Sequence, residues 1–205
     1  MKTFCLATIL LAAGRSSRMG RPKLLLPWGN NSILGHLLKV WSLVGAAQIA
    51  VVLAKDSSVL DDELKRLKFP EGNRVLNPVP DDGMFSSIQC AARWAGWNSS
   101  ITHFAISLGD QPQLKETTLR SLIDFSAAHP ENVCQPSRGG KRRHPVILPK
   151  RIFTELATSS AANLKDFLGE HSSDLAGVES DDAGLDFDLD TPVDYEQVRI
   201  LFPPE

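Results

Sequence analysis

Short continuous apolar runs alternate along the chain with stretches in which apolar residues recur every three or four positions. Residues 4–13, Gln48–Ala54 and His103–Leu108 are runs of the first kind, the first closing at Gly14 and the third at Gly109. Runs of that length predict strands buried on both faces. The run 103–108, apolar apart from Ser107, predicts the centre of the sheet. Residues 74–76 and 133–135 predict shorter strands, and 175–178 an edge strand. Ser32 reads as an N-cap before Ile33, Leu34, Leu37, Leu38 and Trp41, one face of a helix that Gly45 closes. Ser57 or Ser58 opens a second helix through Leu60, Leu64 and Leu67, with Pro70 beyond its end. Further helices are expected over 84–94, from Thr117 or Thr118 through Phe125, and over 152–156 and 163–168. Thr191, Pro192 and Asp194 have the spacing of a capped helix start. Strands alternating with helices predict an α/β fold with a mostly parallel sheet covered on both faces.

At 205 residues the chain suits one domain, spanning 1–205, with room for a sizeable core. A net charge of −2 gives no global basic field, which argues against nucleic acid as a partner. The longest apolar stretch is too short for a bilayer span, so no membrane role is expected. Cys5, Cys90 and Cys134 are odd in number and form no C-x-x-C pair, which suggests a reducing compartment. The histidines lack zinc-site spacing. No internal repeat or low-complexity segment is present.

Chemistry changes the picture first at residues 9–23, where the opening strand breaks into a loop carrying Arg15, Arg18, Arg21 and Lys23. Ligands of open α/β sheets bind beyond the carboxyl ends of strands, where this loop begins. Gly14 and Gly20 allow close backbone approach, and Ser16 and Ser17 add hydroxyls. Backbone N–H groups with nearby Arg and Lys suit a polyphosphate. On the residues alone, an anion site and a solvated basic turn stand side by side. A secretory signal is a third reading, opposed by arginines directly behind the apolar run. The loop is neither a P-loop nor G-x-G-x-x-G: the glycine spacing differs, and no Ser or Thr follows Lys23.

Later segments add further candidates. Asn77-Pro78 ends a strand, and Gly83 precedes a helix whose first turn holds Ser86 and Ser87. Free N–H groups there favour an anion or a base carbonyl, although the serines also suit simple capping. Asp110 follows the central strand at the rim, where it is either a turn residue or a hard oxygen ligand for Mg²⁺. Residues 138–143 predict a basic, glycine-bearing loop leading into His144-Pro145. Asp188 and Asp190 share one face if their segment is extended, and like charges so placed favour a cation beside them.

The run from Leu11 to Lys23 resembles the signature loop L-x-(A/G)-G-x-S-x-R-M-G-x-x-K of nucleotidyltransferases like the molybdenum-cofactor guanylyl- and cytidylyltransferases. Asn77-Pro78, Gly83-Met84-Phe85-Ser86-Ser87-Ile88, Asp110-Gln111-Pro112, His144-Pro145 and Asp188 before Thr191-Pro192 resemble that family's later motifs in order. Arg143 departs from it, replacing the glycine of Gly-His-Pro. The resemblance implies a Rossmann-like, three-layer fold of the nucleotidyltransferase and glycosyltransferase-A kind. It implies attack by a phosphate monoester on the α-phosphate of a nucleoside triphosphate, releasing pyrophosphate. Arg18, Lys23 and Asp110 would be catalytic. Leu11, Ala12, Ala13, Gly14, Arg15 and Ser16 would cradle the nucleotide with Lys23, Asn77, Gly83, Ser86, Ser87 and Asp110. Asp110 and Asp188 would hold Mg²⁺, and Arg143, His144 and Asp190 would face the second substrate. Ala13-Gly14, where guanylyltransferases tend to carry Gly-Gly, implies CTP over GTP. The implied acceptor is a molybdopterin-type phosphate, the product passing to a molybdoenzyme or its chaperone in the cytoplasm. The alternatives are guanylyl transfer, transfer to a sugar or alcohol phosphate, and a nucleotide-binding module without turnover.

Overall fold

A computed structural model describes residues 3–204. The chain runs β1 (Leu6–Leu11), β2 (Pro27–Trp28), β3 (Asn31–Ser32), α1 (Ile33–Leu43), β4 (Gln48–Ala54), α2 (Ser58–Arg66), β5 (Arg74–Asn77) and α3 (Met84–Arg93). It continues through β6 (His103–Leu108), α4 (Glu116–Ala128), β7 (Val133–Arg138), β8 (Lys141–Arg142), β9 (Val146–Pro149), α5 (Lys150–Glu155), α6 (Leu164–Glu170), β10 (Leu175–Glu179) and α7 (Pro192–Leu201). The main sheet has the order β10-β7-β9-β6-β1-β4-β5, with β8 hairpinned onto β7. Within it, β9 and β8 run against their neighbours; β1 is parallel to both β4 and β6.

Both faces of the central strands are apolar because both are covered. In β1, Ala7 and Ile9 pack towards α3, α5 and α6 through Ile88, Phe153 and Phe167. Leu10, on the opposite face, meets Leu34 of α1, Leu64 of α2 and Val198 of α7. Leu6, on that same second face, packs with Trp41 of α1 and Leu119 and Leu122 of α4. The polar exception in β6 is accounted for: Ser107 Oγ accepts the Trp41 indole N–H at 3.0 Å. Ser32 caps α1 by accepting the Gly35 N–H at 3.0 Å. Thr191 and Asp194 form the reciprocal capping box of α7. Among the described residues, no helix is long and apolar enough to cross a membrane.

Two expectations change. Residues 138–143 are not a loop: Ser137 pairs with Arg142 and Arg138 with Lys141 around Gly139 and Gly140. Both glycines have positive φ, 56° and 73°, which a two-residue hairpin turn requires. Residues 27–32 form a small two-stranded ribbon about the turn at Gly29-Asn30. Residues 187–190 are not an extended strand, since the Asp190 N–H folds back onto the Asp188 carbonyl at 3.1 Å. The shared-face argument for Asp188 and Asp190 therefore fails, and their surroundings differ.

Register delivers the loops to one edge. Leu11 lies level with Leu108 and Val52, and Ala54 with Asn77. The segments after β1, β4, β5 and β6 thus leave the sheet side by side, which is where such sheets bind ligands.

Candidate active site

These segments enclose a cleft of about 680 Å³. Its floor is the main chain after β1, from Leu11 to Ser17, with Ala12 and Ala13 buried. Lys23, Gly109 and Asp110 close one end, and Gly83, Met84 and Ser87 of the α3 start form another wall. Pro22, Asp56, Ser57, Val59 and Leu60 also line it. The sequence reading missed these, although the rule that predicts a site after β1 applies equally to the residues after β4.

The loop after β1 is held in shape locally. Ser16 adopts φ 50°, uncommon for a non-glycine residue. Its Oγ accepts the Lys23 backbone N–H at 3.2 Å, which clasps the loop into a closed ring. Gly20 closes the 3-10 turn Ser17–Met19 with φ 70°. At Gly14 an added Cβ would meet only open space. The fold does not require glycine there, so the open main chain is available to a ligand.

Gly109 is constrained differently. A Cβ on it would lie 2.6 Å from the Leu11 carbonyl oxygen and 2.9 Å from Leu24 Cδ2. The backbone oxygen cannot yield without parting β1 from β6. Gly109→Ala is therefore expected to lower stability by about 1–3 kcal/mol and to displace Asp110. Thermal denaturation together with turnover checks it; an unchanged melting temperature would show that the strands accommodate the methyl.

Three of the loop cations, Lys23, Arg18 and Arg15, are matched to carboxylates. Lys23 Nζ lies 2.7 Å from Asp110 Oδ2 and 3.6 Å from Asp190 Oδ1. Arg18 pairs with Asp190 at 2.9 Å. Arg15 makes two bonds to Asp81, at 2.6 and 2.7 Å, joining the β1 loop to the turn before α3. That contact holds the Asp81 carboxyl below its usual range. The other oxygen of Asp110, Oδ1, is shut off from solvent without a hydrogen-bond partner.

Asp188 stands nearby, with its Oδ1 accepting the Gln111 amide N–H at 2.9 Å. Packing around its carboxyl, and then the charge of Asp110, push its pKa up. Both effects signal a carboxylate that would gain from a cation. An orphaned buried oxygen on Asp110 and a crowded Asp188 fit a divalent metal. Among the described residues no group of three or more His, Cys, Asp or Glu could hold one. Such a metal would rely on one or two carboxylates and take its other oxygens from water and phosphate, the habit of Mg²⁺.

The remaining predicted residues fall outside the cleft walls. Asn77 is fully buried, and its amide donates to Ser86 Oγ at 2.8 Å and Ser87 Oγ at 2.9 Å. It reaches the cleft only through Ser87. The Ser86 hydroxyl is held among backbone carbonyls, Val79 O at 3.1 Å and Gly83 O at 2.8 Å. Arg143 is taken up by Asp186 at 2.6 and 3.0 Å, and Arg138 pairs with the same carboxylate. His144 lies two residues ahead of β9, near enough to Asp110 to feel its charge. Burial pushes its imidazole below the usual range, and Asp110 opposes that only in part. Its Nδ1 has no partner.

A pocket after β1, cations paired with carboxylates across its end and a rim aspartate after β6 form the setting in which the comparisons are decisive. The sequence profile of the MobA-like NTP transferase domain matches residues 8–175. The chain belongs to that family. This MobA-like transferase is 26% identical over 192 residues to the molybdenum cofactor cytidylyltransferase of Escherichia coli K12, covering 91% of this chain and 92% of that one. It is also 26% identical over 196 residues to the nicotine blue oxidoreductase of Paenarthrobacter nicotinovorans, covering 91% and 93%. A Mycobacterium tuberculosis H37Rv protein solved in complex with manganese superposes with a TM-score of 0.69 at 25% identity, over 96% of this chain and 98% of that one. A nucleotidyl transferase from Methanothermobacter reaches 0.78 at 22% identity over 97% of each chain, which speaks to the fold alone. The MobA-like chain is thus a nucleotidyltransferase.

Proposed function

We propose that this enzyme transfers CMP from CTP to a molybdopterin-type phosphate, with Mg²⁺, releasing pyrophosphate. The observation that carries the reading is the cleft floor of Ala12, Ala13 and Gly14 ending at the Lys23–Asp110 pair. Near-full-length similarity to a cytidylyltransferase supports it. In this reading the free N–H groups of the β1 loop and the uncapped start of α3 receive phosphate and base oxygens. Lys23 and Arg18 turn from their carboxylates to phosphate charge. Asp110 and Asp188 would hold the metal, whose chemistry there would be neutralisation of charge developing on the triphosphate. No covalent enzyme intermediate is needed: catalysis is in-line positioning and charge neutralisation. His144, whose burial disfavours the charged imidazole, and the exposed Lys141 and Arg142 of the hairpin are assigned to the acceptor side, the product passing to a molybdoenzyme or its chaperone.

Base choice is assigned to Ala13. Its methyl stiffens the backbone and narrows the floor, which crowds a purine more than a pyrimidine. CTP is expected to be preferred over GTP by about 10-fold or more, since one small steric group is worth about 1–3 kcal/mol. Ala13→Gly should reduce that preference without reversing it. The measurement is kcat/KM for both triphosphates with molybdopterin as acceptor. Equal values, or a preference for GTP, overturn the cytidylyl assignment and leave nucleotidyl transfer standing.

A further inference from the structure

Gln111 occupies the middle of Asp110-Gln111-Pro112 and is 5% exposed. Its Nε2 donates to Asp188 Oδ1 at 2.9 Å. A carboxylate only accepts, so the nitrogen end must face Asp188. Its own Oε1 is left buried without a partner. An amide present only to fill space settles where both ends are satisfied; this one keeps its nitrogen on a carboxylate and forgoes a bond at its oxygen.

The segment carrying Asp188 lies between the 3-10 turn Ala183–Asp186 and α7, with no strand or helix of its own to aim side chains. Its main chain is tied to the rim of β6. Leu189 N–H donates to the Asp110 carbonyl at 3.0 Å, and Gln113 Nε2 donates to Gly184 O at 2.9 Å and Phe187 O at 2.7 Å. Those bonds fix where the backbone runs. The bond from Gln111 is the one that fixes a carboxylate.

We propose that Gln111 is a positioning residue that orients Asp188 for the divalent cation and so sets metal affinity, an inference that rests on reading Asp188 as metal-holding. The choice of donor matters. A neutral amide orients a carboxylate through one oxygen without neutralising it, so the full negative charge stays available to a metal. Asp190 has no such amide and pairs instead with Arg18 and Lys23.

The test is Mn²⁺ titration followed by water-proton relaxation, with a saturating non-hydrolysable CTP analogue present, and melting temperature recorded without metal. Gln111→Met removes the donor at similar length, and Gln111→Asn keeps an amide that falls short of Asp188. Each is expected to raise the half-saturating Mn²⁺ concentration about 10-fold or more, with metal-free melting temperature nearly unchanged. In an Asp188→Asn background, Gln111→Met should add little, because it acts through that side chain. If Asp188→Asn weakens Mn²⁺ binding and neither Gln111 variant does, the positioning role is wrong. Fully additive effects also overturn it, since Gln111 would then act without Asp188. If Asp188→Asn leaves Mn²⁺ binding intact, the metal reading falls and takes this inference with it.

Discussion

Asp110→Asn is expected to remove most turnover while leaving the fold in place. Asp110 sits at the rim after β6, and its side chain keeps about a fifth of its surface open, 20%. Its backbone carbonyl, which holds Leu189, is unaffected by the change. The neutral amide cannot supply the anionic oxygen that a hard divalent cation demands, and the metal's contribution to phosphoryl chemistry is worth several kcal/mol. Pyrophosphate release with Mg²⁺, beside a melting curve, checks both halves. A near-wild-type rate would remove Asp110 from the metal site. Asp188→Asn should change turnover in the same direction more mildly, and Asp190→Asn provides the contrast.

Lys23→Ala should be nearly as damaging, through phosphate rather than metal. Lys23 is mostly enclosed, 17% exposed, where a positioned charge acts with little screening. Losing such a group typically costs about 2–4 kcal/mol in the barrier, roughly 30-fold to 1,000-fold in rate. The clasp to Ser16 uses the Lys23 main-chain N–H, so the loop should keep its shape without the side chain. Every triphosphate should suffer by a similar factor, as charge is common to all. Metal affinity should hold or rise, because Asp110 loses a competing cation. Rates for four nucleotides decide it; a defect confined to one base would mean that Lys23 reads the base.

Legibility in the sequence extends to whatever a single local pattern determines. The strand bounds Gln48–Ala54 and His103–Leu108 come from uninterrupted burial, which leaves apolar residues on both faces. The caps at Ser32 and Thr191 come from hydroxyls placed one residue ahead of amphipathic runs. The 138–143 hairpin was not legible, because Lys141 and Arg142 bury nothing and show no alternation. Its one signal was Gly139-Gly140, a pair suited to a tight reversal. The contacts of Gln111 and Asn77 were hidden for another reason. Each is defined by a partner that the sequence sets at a distance, 77 positions away for Gln111 and 9 and 10 for Asn77.

The reversed direction of β9 divides the labour of the chain. A parallel strand presents to the rim the residues on its carboxyl side, but β9 presents those on its amino side, the segment 138–145 that leads into Val146. The nucleotide half, from β1 to β6, meets the rim through its exits, and the later half meets it through this approach and the turn at Asp186 that grips it. Residues 138–145 lie outside the segments that carry Gly14, Lys23 and Asp110. Under the proposed reading, acceptor choice is expected to lie in one short ribbon.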